Sequence, residues 1–114
     1  MGWLHCIAYF FGGLFLSNGI PHFVSGTMGR QFPSPFAKPP GRGMSSPAVN
    51  VVWGVFNFAV SYMLIWRIGA FSFGSAADAV ALGLGFLLMG LGSARQFARA
   101  SGSQSPTEPS AHSH

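Results

Sequence analysis

The chain has 114 residues, 49% of them hydrophobic and only 7% charged, with a formal net charge of +4. An ordinary soluble domain carries about a quarter charged residues, so this composition excludes a water-facing globular surface. The charges also leave long gaps: residues 1–29 and 43–66 contain none, and residues 68–94 contain only Asp78.

A spanning helix needs roughly 20 mostly apolar residues to cross a hydrocarbon core of ~30 Å. Each gap holds one such helix. The expectation is an all-α integral membrane bundle of three transmembrane helices, at about residues 3–20, 47–66 and 76–95, with a long Pro/Gly-rich loop between the first and second. Three spans leave no room for a folded soluble domain.

The first apolar run lacks a basic n-region and a small-x-small cleavage site, so it reads as a mature helix rather than a signal peptide. Cys6 is the sole cysteine, which excludes an internal disulfide and fits a small buried residue. His5 and His22 stand 17 positions apart, about 25 Å along one continuous helix. They cannot grip the same iron, and no haem or other cofactor is expected. Pro21 has no N–H to donate to Ser17, so the helix either stops near Ile20 or kinks and runs on to about Val24. If it runs on, Asn18 and His22 share a face.

Residues 25–46 read SGTMGRQFPSPFAKPPGRGMSS, mixing Phe32 and Phe36 with Arg30, Lys38 and Arg42 among prolines and glycines. This composition predicts an interfacial loop whose phenylalanines dip below the headgroups. Arg30, Lys38 and Arg42 would then meet anionic lipid headgroups, each contributing ~1 kcal/mol. A phosphate-binding P-loop is excluded because the Gly-Lys-Ser/Thr order and the preceding strand are missing.

Ser46 and Pro47 form a cap and first-turn pair for the second helix. Along it Asn50, Gly54, Asn57 and Ser61 recur at helical spacing, and Tyr62, Trp66 and Arg67 suit the headgroup boundary. Polar side chains in a spanning helix face protein or trapped water, because lipid offers no hydrogen bonds. Asn18, His22, Asn50 and Asn57, with Ser61, are therefore expected to meet between the first two helices. They act either as interhelical glue or as a polar binding site in which His22 takes up or relays a proton. Glue comes first, since no second titratable residue stands beside His22.

Before the third helix, Ser75 and Asp78 have capping-box spacing, and a cap is the first reading of Asp78. Ala76, Ala79, Gly83, Gly90 and Ala94 form a small-residue seam suited to helix packing, in this chain or against another, with Gly85 and Gly92 on a neighbouring face. Residues 101–114 are polar and proline-containing, and predict a disordered cytoplasmic tail. His112 and His114 in it are too few for a metal site.

Arg30, Lys38, Arg42, Arg95 and Arg99 fall on one face of a three-span arrangement and only Arg67 on the other. Basic residues gather on the cytoplasmic side, which predicts the N-terminus outside and the C-terminus inside. The basic balance is then juxtamembrane, and no nucleic acid partner is implied.

The stretch NGIPHFVSGTMGRQFPSPFAKPPGRGMSSPAVNVVWG, with its order of PHF, FPSPFAKPPGRG and NVVWG, resembles the central portion of a group of small bacterial multi-span membrane proteins. The resemblance implies a bacterial cytoplasmic (inner) membrane location and brings no catalytic or ligand residue with it.

No metal motif, paired carboxylate or Ser/His/Asp set is present, so a non-enzymatic protein is expected. The small-residue seam makes an accessory subunit, within a homo-oligomer or a larger membrane complex, the first functional reading. A transport or ligand-binding protein built on the polar cluster around His22 is the second.

Overall fold

Glycine decides how the first helix is used. In the computed structural model, which describes residues 2–40 and 42–102, α1 spans Gly2–Thr27. Its buried positions include Gly12, Gly13, Gly19 and Gly26, with Ala8, Ser17 and the larger Tyr9 and His22. A helix this thin lets both neighbours come close, and α1 is the central element: α2 (Pro47–Tyr62) and α3 (Ala76–Gly102) each pack along it while making little contact with one another.

The helix passes straight through Pro21 to Thr27, beyond either endpoint that the sequence suggests. Pro21 costs one backbone hydrogen bond to Ser17. The last turn is nevertheless held, because Gly26 lies directly against Pro47 and Val51 of α2.

Ser46 caps α2 by accepting the Val49 N–H at 3.2 Å, with Pro47 opening the first turn. The buried face of α2 is the stripe Asn50, Gly54, Asn57 and Ser61. Gly54 and Gly19 bring the α1 and α2 backbones together: a Cβ on Gly19 would come within 2.9 Å of the Gly54 carbonyl. The helix then widens into a π-helical segment, Met63–Ile68, ending at Gly69.

Tyr9, only 2% exposed, secures the following connection by accepting the Ala70 N–H at 2.9 Å and meeting Phe71 edge-on. Ser75 accepts the Asp78 N–H at 3.2 Å, and Asp78 reaches back to accept the Ser72 N–H at 3.1 Å. Ser75 is thus the cap of α3, while Asp78 ties its first turn to Ser72 in the preceding connection instead of closing a capping box on the Ser75 N–H, which bonds the Ser72 carbonyl.

On α3 the approach to α1 runs through Gly85. A Cβ there would overlap the Phe10 carbonyl, and one on Gly13 of α1 would overlap that of Leu82. Of the predicted seam, Ala76, Ala79, Gly83 and Ala94 are exposed, Gly83 has open space around it, and only Gly90 edges toward α1, 3.4 Å from the Ser17 hydroxyl to a built Cβ. The helix continues past residue 95 to Gly102, so the start of the expected tail is helical, and residues 103–114, with His112 and His114, lie outside the described residues.

Taken as lengths and compositions, Gly2–Thr27, Pro47–Ile68 and Ala76–Arg99 are long and apolar enough to cross a membrane. The fold class is all-α apart from one miniature hairpin in the first loop. There β1 (Phe32–Pro33) pairs antiparallel with β2 (Met44–Ser45), Phe32 opposite Ser45. The loop is therefore folded back on the bundle, with Ser34, Ala37 and Ser45 buried, instead of lying flat with both phenylalanines turned to lipid.

Candidate functional site

The polar stripes of α1 and α2 meet in pairs. Asn18 donates from Nδ2 to Oδ1 of Asn57 at 3.0 Å, and His22 Nδ1 lies 2.7 Å from Oδ1 of Asn50. One end further along, Ser61 donates to the Gly12 carbonyl at 2.7 Å. Asn50 and Asn57 are completely buried and His22 is 3% exposed, so their bonding has to be internal.

Backbone carbonyls fix which way each amide points. Nδ2 of Asn50 faces three of them, Phe32 at 3.0 Å, Ser45 at 3.2 Å and Ser46 at 3.1 Å. Its Oδ1 must then face His22, and Nδ1 of the ring is the donor. Likewise Asn57 donates to the Trp53 carbonyl at 2.7 Å, which leaves its Oδ1 to accept from Asn18. Each assignment passes to the next residue, so the uncharged ring of His22 retains an accepting Nε2, and Asn18 retains an accepting Oδ1.

Asn50 also ties the loop to the bundle, since Phe32 and Ser45 are a cross-strand pair of the hairpin. Ser34 and Ser45 share a short hydroxyl–hydroxyl contact, and Ser34 also accepts the Phe36 N–H at 3.1 Å. Phe32 turns inward, edge-on to His22 at 5.2 Å and against Phe97 of α3 at 4.7 Å. Phe36 covers Trp53 edge-on at 5.1 Å while remaining 63% exposed. Of the two, Phe36 thus stays on the outside while Phe32 covers the end of the bundle.

Beneath this cover lies a partly open cavity of about 440 Å³. Asn18 and His22 of α1 line it, Trp53 of α2 and Gly92 of α3 flank it, and Pro33–Pro35 of the loop close its end. Among the described residues its lining contains no Lys, Arg, Asp or Glu. Among the described residues, Trp53 Nε1 is the one side-chain polar atom that is sealed off without a hydrogen-bond partner. The remaining acceptors of Asn18 and His22 are not among such sealed, unpartnered atoms.

The other sequence candidates sit elsewhere. Arg30, Lys38 and Arg42 are exposed on the loop. His5 stands near the other end of α1 against Tyr9, ring centroids 6.3 Å apart, and Cys6 is half-buried. No group of three His, Cys, Asp or Glu side chains that could hold a metal occurs among the described residues.

Trp53 and Ser34 escaped the sequence reading. Trp53 was within reach of it, lying three residues after Asn50 and four before Asn57 on the flank of the same stripe. Ser34 was not, because its burial depends on a hairpin of two-residue strands, too short to show alternation. Neither a protein family, a curated protein nor a solved structure matches the chain.

Proposed function

We propose that this chain is a three-span integral protein of a bacterial cytoplasmic membrane, N-terminus outside and C-terminus inside, that binds a small molecule in the loop-capped cavity beside Asn18 and His22. One observation carries the binding reading. After the four polar side chains have bonded one another, two acceptors are left over, on residues that line the same cavity. Glue accounts for Asn50 and Asn57, whose hydrogen-bonding groups are engaged, but it leaves those two acceptors unused.

The orientation rests on the five-to-one division of Lys and Arg between the loops, and the location on the central-segment resemblance. A reporter fused after Arg99 is expected to be cytoplasmic, with Met1 outside; both ends on one side would reject three spans. Exposed Arg30, Lys38 and Arg42 then face the cytoplasmic leaflet, where anionic headgroups are their natural partners.

Binding is tested by native mass spectrometry of chain extracted from membranes in mild detergent. A retained mass on the wild type, absent from Gly92→Leu, is the expected result. Gly92 has open space around it and lines the cavity, so leucine blocks the site without touching the network. Adduct-free spectra for both chains reject the reading.

A second reading, an accessory or self-associating subunit, is favoured by α3. Its exposed Ala79 and Gly83 take no part in packing against α1, leaving a small-residue flank free for another helix. The same spectra report stoichiometry.

A further inference from the structure

The cavity's polarity says what it takes. Its wall offers two hydrogen-bond acceptors one helical turn apart, Nε2 of His22 and Oδ1 of Asn18, each fixed by the relay of amides behind it. Neither can be turned into a donor by an amide flip, because a flip of Asn18 or Asn57 would set two N–H groups or two carbonyl oxygens against each other. Trp53, which also lines the cavity, carries an indole N–H that is buried and unpartnered. A native structure rarely leaves such a group unpaired unless something else comes to it.

Charge narrows the ligand further. Among the described residues no Lys, Arg, Asp or Glu lines the cavity, and a formal charge brought here would lose its hydration with no counter-charge among them to replace it. Leu14, Leu88, Met89 and Phe97 make much of the remaining lining apolar, and Ser34, Ser93 and Gln96 are its other polar side chains. Because α2 and α3 diverge on either side of α1, the cavity opens sideways along the helices, and exposed Leu88 and Gly92 lie at that opening. In a bilayer that opening faces acyl chains.

We infer that the ligand is an uncharged, membrane-dissolved amphiphile whose head carries a hydroxyl, entering between α2 and α3 from the lipid. The hydroxyl hydrogen goes to His22 Nε2 or Asn18 Oδ1, and its hydrocarbon trails past Leu88 into the bilayer. This deepens the binding reading above and rests on it.

The test uses Trp53 as its own reporter. In full-length chain carrying Trp3→Phe and Trp66→Phe, reconstituted in phosphatidylcholine vesicles, Trp53 is the sole indole. 2-Bromo-1-dodecanol, whose bromine quenches tryptophan beside the hydroxyl, is compared with its methyl ether, which accepts but cannot donate, and with 2-bromododecylammonium. The alcohol is expected to quench saturably, at a mole fraction about tenfold lower than the ether, since the ether leaves both acceptors unpaired. Unbrominated 1-dodecanol should reverse the quenching, and Gly92→Leu should raise the alcohol's half-saturation to that of the ether. Saturable quenching that is equal for alcohol and ether overturns the hydroxyl requirement while the cavity stands as a site. Preference for the ammonium overturns the neutral class. Quenching that rises linearly for every compound, unaffected by Gly92→Leu, rejects the site itself and with it the binding reading.

Discussion

The two seams that hold α1 are built on different chemistry. Toward α2, side-chain hydrogen bonds cross at Ser61, Asn57 and Asn50, interleaved with the Gly19–Gly54 approach. Toward α3, the seam is chiefly a matter of shape, set by Gly13 and Gly85, whose missing Cβ atoms let each backbone lie against a carbonyl of the other. Helices in lipid generally associate by close packing and hydrogen bonds, because the ordinary hydrophobic drive is weak there. The polar seam fixes register, because only one sliding position pairs all three bonds. The glycine seam fixes distance and leaves most of α3 unburied.

The largest expected effect therefore comes from filling the glycine seam. Gly85→Leu places a side chain where the Phe10 carbonyl and the Leu14 backbone already lie. No rotamer relieves a clash with backbone, so α3 must leave α1. The expected outcome is loss of the folded, monodisperse species in mild detergent, read by size-exclusion profile and thermal melting. A variant that melts like the wild type would show that the two helices do not meet at Gly85.

Breaking the polar seam should cost less and act on a different part of the molecule. Asn50→Leu removes the partner of His22, the two carbonyl bonds to Phe32 and Ser45 that fasten the hairpin, and a third to the cap residue Ser46. At somewhat under 1 kcal/mol for each hydrogen bond, the magnitude measured between membrane helices in general, the loss is about 2–3 kcal/mol. Amide hydrogen exchange should rise across the loop, around Phe32 and Ser45, while α3 stays protected. Uniform exchange throughout would instead make the loop and the bundle one cooperative unit. Ser61→Ala, which deletes a single bond to the Gly12 carbonyl, should cost only ~0.6 kcal/mol and leave the loop unchanged.

These two seams were not equally legible in the sequence. Polar residues are so rare here that Asn50, Asn57 and Ser61 at helical spacing, matched by Asn18 and His22, point to one another by elimination, and the structure brings them together in pairs. Glycines are plentiful, 16 in all, and periodicity alone cannot tell a glycine that meets a backbone from one that meets lipid. Hence the seam drawn through Gly83 and Gly90 picked out the flank of α3, whereas the contact runs through Gly85. The loop was hidden for another reason. Its order comes from Asn50, several residues outside it, reaching back to Phe32 and Ser45, and no local composition announces a long-range bond. Continuation through Pro21 is of the same kind, since the packing of Gly26 on α2 outweighs one lost backbone bond.

The smallest expected effect is the one that separates packing within the chain from packing between chains. Gly83 lies two residues before Gly85 but faces open space, and Ala79 beside it is exposed. Gly83→Leu should therefore alter the stability of the single chain by no more than about 0.5 kcal/mol, as for surface substitutions in general. A helix docked on that flank would meet the new side chain as a wedge, because small residues there are what permit close approach. Melting temperature and oligomeric mass, measured together in mild detergent on Gly83→Leu and Gly85→Leu, resolve the matter. A Gly83→Leu chain with wild-type melting and a reduced oligomeric mass places a partner helix on α3. One that is monomeric before and after substitution removes self-association as the use of this face, and leaves α3 free for the binding reading at Asn18 and His22 to stand on its own.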